Sequence, residues 1–217
     1  GNSGQTDQAI AVLNAVPADD RTAKIEYALG VIYDQLKDNK HAIDAYTKAM
    51  DLDPDNLDAE RGLAQALLND NQLDPALKHF ENIAASDPQD AQSYLRISEI
   101  ERRQGHYDQA LATLKKAKSL ASDSLEIGFS EALIDDSLGH YDDAVQILEG
   151  LVKKTTNADG KYSDAEKNNR SIFLDRLANV YREQNKVDLA IQTYQKMIAM
   201  GGDMAEHAFD HVVERLL

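Results

Sequence analysis

The segments 105–110, GHYDQA, and 139–144, GHYDDA, are one phrase written twice, thirty-four residues apart. A phrase that returns at a fixed interval is the mark of a repeat architecture. Extending the interval in both directions aligns blocks that begin at Ala23, Leu57, Ala91 and Leu125, and a later block that begins at Ser171. In that alignment one position reads Ala42, Ala76, Ala110, Ala144 and Ala190. Twelve residues earlier stand Gly30, Ala64, Ser98, Ala132 and Ala178, all small, and four residues later Tyr46, Phe80, Leu114, Leu148 and Tyr194, all bulky. Small side chains let two helix backbones approach, and a large one a turn away fills the space beside the contact. Within a block, apolar residues such as Leu63, Ala66 and Leu67, then Leu73, Leu77, Phe80 and Ile83, recur at helical spacing. Each block therefore predicts a pair of helices.

The punctuation agrees. Asp53-Pro54 and Asp87-Pro88 stop second helices, because the residue before proline is pushed out of α geometry, while Gly105 and Gly139 open the turn inside a pair. With only 4 Pro, 11 Gly and 6% aromatics, the composition favours helix, and 42% hydrophobic content over 217 residues is enough for a core. The formal charge of −15, from 23 basic and 38 acidic residues, opposes a phosphate backbone, so no nucleic-acid partner is expected. The lack of cysteine excludes a disulfide framework, a thiol nucleophile and thiolate zinc sites, and leaves the compartment open. Apolar runs fall far short of the ~20 residues a membrane span needs.

The pattern resembles the tetratricopeptide repeat, whose small-residue, alanine, aromatic and proline positions read Leu29-Gly30, Tyr33, Ala42, Tyr46, Ala49 and Pro54 in the best-matching block. The resemblance implies an all-α fold, a right-handed superhelical solenoid of antiparallel helix pairs. The expected organisation is a single solenoid domain over 1–217: a half repeat at 5–22, repeats at 23–56, 57–90, 91–124, 125–158 and 171–204, an insertion at 159–170 and a terminal helix at 205–217. Both ends read as half units, as in a piece of a longer array. A half unit buries its apolar face only against a neighbour, so it acts as a cap or leaves a patch that pairs in trans. In the insertion, DGKYSDAEKNNR, Asn157 to Gly160 predicts a loop, and Ser163 with Glu166 a capping box that opens a lengthened helix through Ile172 and Leu177.

Candidate chemistry is sparse. His106 and His140 fall in turns of consecutive blocks and have no third ligand beside them, so they mark the fold rather than a metal. His207 and His211, four apart with Glu214 beyond, have a spacing that could grip zinc, but the motif alone is common on polar helix faces. The stretch DLDPDN from Asp51 fails as a calcium loop because Pro54 stiffens it, Asn56 replaces the glycine and Gly62 stands where the bidentate glutamate belongs. Gly128-x-Ser130 lies mid-helix, not on a strand-to-helix turn, so no nucleophile elbow is expected. No catalytic set can be assembled, and the expectation is no enzyme, no cofactor and no metal. Glu101, Glu131 and Asp135 stand where other blocks place apolar core residues and must be paired or exposed, with Arg96, Arg102 and Arg103 as the partners nearest in repeat geometry. Such acids read either as a structural ion network or as a polar recognition spot.

The resemblance also implies a function. In the family, peptides lie in a concave groove lined by the first helices, from the second, fifth, ninth, twelfth and thirteenth positions of each repeat. Carried over, the fifth and ninth positions give Tyr27 and Val31, Arg61 and Gln65, Leu95 and Glu99, Phe129 and Leu133, and Asp175 and Asn179. The later two give, among others, Arg102, Arg103, Asp136 and Arg182. Cations and anions nearly balance there, so charge does not single out the groove. Tyr27, Val31, Leu95, Phe129 and Leu133 are either exposed anchors for a partner or are covered by neighbouring helices. The clamp of Lys, Asn, Asn, Lys and Arg used by chaperone-binding members is not implied, since its places hold Tyr27, Val31, Gly62, Gln92 and Arg96. The expectation is a protein-protein interaction module that takes another protein, or a segment of its own longer chain, in the groove. The alternative is an assembly module that self-associates into a homo-oligomer through its ends and the 159–170 insertion.

Overall fold

The computed structural model describes residues 2–216, with side chains from Gly4 to Val212. Among the described residues the chain forms twelve α-helices and no strand. They are α1 (Asn2–Asn14), α2 (Ala23–Gln35), α3 (Asn39–Leu52), α4 (Leu57–Asn69), α5 (Leu73–Ser86), α6 (Ala91–Arg103), α7 (Tyr107–Leu120), α8 (Leu125–Ser137), α9 (Tyr141–Lys154), α10 (Asp164–Glu183), α11 (Val187–Met200) and α12 (Ala205–Leu216). A single 3-10 turn, Ala18–Asp20, lies between α1 and α2. No described helix is long and apolar enough to cross a membrane.

The period that aligns the small residues also sets the helix ends. Thr22, Asn56, Asp90 and Ser124 each start a first helix, and each side chain accepts a backbone N–H of the opening turn. These caps satisfy amide groups that the helix itself leaves unpaired. Ser163 does the same for α10 and forms a full capping box with Glu166. At the far ends, Lys37, Asn71, Gly105, Gly139 and Asn185 all have positive φ, so every turn within a block passes through the left-handed region. In the first block the Asp38 N–H then donates to the Tyr33 carbonyl and the Lys37 N–H to the Asp34 carbonyl, both at 2.9 Å. This is a Schellman closure, and the same pair of bonds recurs at Asn71 and Gln72, Gly139 and His140, and Asn185 and Lys186.

The helices gather into two compact units, residues 1–105 and 106–217. In the first, α2 to α6 pack each on the next, and α1 packs on α2. The second runs in the same way from α7 to α12. Ala42, Ala76, Ala110 and Ala144 are fully buried and Ala190 nearly so, as are Ala64, Ser98, Ala132 and Ala178 at the other small position. The core of the first unit centres on Tyr46, Leu63, Leu67, Phe80 and Ile83. That of the second centres on Leu148, Phe173, Leu177 and Val180, with a further cluster around Leu174, Tyr194 and Met197.

Tyr46 shows why the small positions matter. Its ring enters between α2 and α4, where a Cβ added to Gly30 would stand 2.5 Å from it and one added to Gly62 2.4 Å. Both glycines are therefore space for one aromatic ring, and overpacking such a contact costs about 1–3 kcal/mol. The Tyr46 hydroxyl donates to Asp34 Oδ2 at 2.8 Å. Burial and the Asp34 charge both push the phenol up, while burial raises Asp34 against the lowering effect of that hydrogen bond.

Candidate interaction face

First helices in each unit present the side chains that the repeat register assigns to a groove, and the two units use them differently. In the first unit α2, α4 and α6 border a cavity of 360 Å³. Tyr27, Arg61 and Gln65 line it, as the register predicts, together with Asp58, Gln92, Ser93 and Arg96, over a floor formed by Tyr46 and Phe80. The Arg61 guanidinium is held by Asp90, the cap residue of α6, which also accepts the Ser93 hydroxyl at 2.5 Å. Burial raises Asp90, but the Ser93 hydroxyl, the Arg61 charge and the Gln92 N–H outweigh it and hold the carboxyl below its ordinary 3.8. Arg96 donates to Glu99 at 3.0 Å, and Glu99 also lies 3.8 Å from Arg103. Arg103 reaches on to the Asn71 side chain at 2.6 Å. Arg102 is half-buried, and Val31 packs with Tyr27 against the core.

One predicted anchor is corrected. Leu95 is 1% exposed, so it belongs to the interior of the first unit and cannot be an exposed contact. Repeat position predicts which helix face a residue lies on, but whether the neighbouring helices cover that face depends on packing.

In the second unit several of the corresponding residues are engaged by neighbouring side chains. Asp136, 6% exposed, is paired with Arg176, so it is a structural carboxylate and not an open groove charge. The Asn179 amide donates to Asp175 at 3.1 Å and accepts from the Tyr194 hydroxyl at 3.2 Å and from Arg182 at 3.4 Å. Phe129 lies tilted on Phe173, centroids 5.4 Å apart, and Leu133 is half-buried. Of the acids expected at core positions, Glu131 accepts from Lys118 at 2.6 Å, and buried Asp135 lies 3.5 Å from His140 Nδ1. Burial raises Asp135, with His140 opposing. The partners of these two acids are thus Lys118 and His140, not the arginines that repeat geometry pointed to.

His207 and His211 face each other, Nε2 to Nε2, at 3.2 Å, and His211 stacks on Tyr194. The side chain of Glu214 lies outside the described residues. Among the described residues no group of three His, Cys, Asp or Glu is arranged to hold a metal ion.

Sequence reasoning missed several contributors. Glu26 and Glu60, one interval apart, are buried on α2 and α4 and held by Arg21 at 2.8 Å and His79 at 3.2 Å. The signal that could have found them was an acid recurring on the interior face, the same pattern noted for Glu101, Glu131 and Asp135. Asp90, which orders Arg61 and Ser93, was detectable only as a cap recurring in the series Thr22, Asn56, Asp90 and Ser124.

Comparison with known proteins identifies the repeat. Models described as tetratricopeptide repeat match residues 1–56, 35–100, 91–124 and 174–208. Over 133 residues the chain is 30% identical to cellulose synthase operon protein C of Komagataeibacter xylinus, which covers 60% of this chain and 10% of that protein. The chain spans no more than 18% of the length of the sequence relatives it matches. Among solved structures it is similar to TTC0263, a thermophilic TPR protein of Thermus thermophilus, at TM-score 0.66 and 21% identity over 90% of this chain and 99% of that one. It is also similar to a chain of the APC/C hetero-tetramer Cut9-Hcn1, at TM-score 0.71 and 18% identity over 92% of this chain and 38% of the other. With a 34-residue period, buried small residues at matched places and four concordant matches, the chain belongs to the tetratricopeptide repeat family.

Proposed function

We propose that this protein-interaction scaffold holds an extended polypeptide segment against the first helices, with the cavity between α2, α4 and α6 as its principal seat. The observation that carries the reading is the chemistry of that cavity. Tyr27 offers an apolar wall, and Gln65 and Gln92 each offer a donor and an acceptor, the complement of a peptide bond. Arg61 is pre-ordered by Asp90, so a partner meets a set geometry and less side-chain entropy is lost on binding. The Cut9-Hcn1 neighbour is, by its description, part of a hetero-tetramer, and a partner protein is the corresponding expectation here.

The test is a titration of fluorescent peptides, selected on the intact chain, against Tyr27→Ala with Gln65→Ala and Gln92→Ala. A fall of at least ~10-fold in affinity is the expected result, with Gln65→Ala and Gln92→Ala keeping the wild-type melting temperature and Tyr27→Ala, which also loses core packing, lowering it. Undiminished affinity rejects the cavity as the seat. A second reading, assembly through the ends, is favoured by Val12 on α1 and Phe209 on α12, which are 68% and 55% exposed. Light scattering decides it: a concentration-dependent oligomer lost in Phe209→Ser supports assembly, and a monomer at every concentration removes it.

A further inference from the structure

The second helices of the second unit border a different cavity, of 400 Å³, between α9 and α11 with α10 as its floor. Half-buried Val152 on α9 and exposed Leu189 on α11 supply its apolar surface over the buried Leu174 and Leu177, while Lys153 on α9, Lys196 on α11 and Arg170 on α10 bring three cations to it. Glu149, the acid in the lining, already accepts the Tyr181 hydroxyl at 2.7 Å. Arg170 is built in: it donates to the Val152 carbonyl and to Thr155 Oγ1 and lies beneath the Tyr162 ring, 5.3 Å from its centroid. Lys153 and Lys196 are exposed, and among the described residues neither has a carboxylate partner. In a chain of net charge −15, this is a local excess of unspent positive charge.

The furrow at the equivalent place in the first unit serves as an internal control. It is bordered by Arg21, Lys48, Glu26 and Asp51, so its charges balance, and its two cations are already taken. Arg21 binds Glu26 at 2.8 Å and Lys48 binds Asp44 at 2.6 Å. The repeat register places Leu174 where the first block has Glu26, and Arg170 is the last residue of the insertion, which the other blocks lack. Leu174 in place of the Glu26 carboxylate, and a third cation in Lys153, together turn a neutral furrow into a basic one.

We propose that this furrow is a docking site for an acidic polypeptide segment, which lays an apolar side chain against Val152 and Leu189 and sets carboxylates against Lys153 and Lys196. The two lysines stand on different helices, Lys153 beside Val152 on α9 and Lys196 with Leu189 on α11, so one crossing segment with acids flanking a Leu or Phe meets all of these features. Opposite charge steers such a segment to this spot, since the rest of an acidic surface repels it. The site shares no residue with the cavity between α2, α4 and α6 and stands independently of it.

The test is display selection of short random peptides on the whole chain, followed by titration against Lys153→Glu with Lys196→Glu. Both lysines are exposed, so the double variant keeps the wild-type melting temperature. The expected result is enrichment of peptides with Asp or Glu beside Leu or Phe, whose affinity falls at least ~10-fold in the variant and weakens with added salt. Amide NMR shifts on binding should fall on α9, α10 and α11. The proposal is overturned if no such peptides are enriched, if the variant binds them undiminished, or if the chain grips octanoate equally well while ignoring peptides. Enriched acidic peptides that lose affinity in the Tyr27, Gln65 and Gln92 variant but not in Lys153→Glu with Lys196→Glu seat in the other cavity and likewise overturn it.

Discussion

The first unit leaves Tyr27, Arg61 and Gln65 around an open cavity, whereas in the second unit Asp136, Asp175 and Asn179 are engaged by neighbouring side chains. Arg61 and Gln65 border free space, while Asp136 is taken by Arg176 and Asp175 by Asn179. On the other helices the relation reverses, for the furrow of the second unit keeps unpaired lysines and that of the first is charge-balanced. Two stretches of one repeat thus present different chemistry on different faces. A repeat fixes where side chains stand, and the non-repeating residues decide which of them remain available.

The sharpest way to break that comparison uses two residues at one repeat position. Leu95 is 1% exposed and Phe129 half-buried, so Leu95→Asp should cost about 4 kcal/mol and Phe129→Asp about 1–2 kcal/mol, read from urea midpoints. Equal losses would show that the position behaves alike in both units. Next in size is Gly62→Val, which forces a side chain into the Tyr46 ring and should cost about 1–3 kcal/mol. The contrasting glycine of the second unit, Gly150 in α9, has open space around its Cβ direction, so Gly150→Ala should stabilise by about 0.5–1 kcal/mol. A destabilised Gly150→Ala would mean that something covers that surface.

The smallest expected effect is a pH slope. Asp90 has a folded pKa below its ordinary 3.8, so the unfolded chain binds its proton first as pH falls. Its stabilising contribution is complete above 3.8 and is lost as pH drops below that value, through the folded pKa. Asp90→Asn should therefore flatten the acid limb of the stability curve of the first unit, measured by urea unfolding down to about pH 3. An unchanged acid limb would show that Ser93 and Arg61 do not hold that carboxylate.

Most of the architecture was legible in the sequence because helix pairing depends on local, periodic requirements. Ala76 and Ala110 had to be small if two helices nest, and both are fully buried. The Ser163 and Glu166 capping box was equally readable, since it needs only two side chains three residues apart. Candidate sites were less legible. Tyr27, Arg61 and Gln65 do line one cavity, but Leu95 is interior and Asp136 is neutralised by a residue forty positions away in the chain.

Sequence alone determined the helix pairs, their caps and the turns at Gly105 and Gly139, because hydrogen bonds and steric limits within a few residues decide those features. Tertiary structure decided which charges are spent and which apolar side chains are covered. Those outcomes turn on distances between residues on separate helices, such as Arg61 and Asp90 or Tyr46 and Gly62, and no repeat period encodes them.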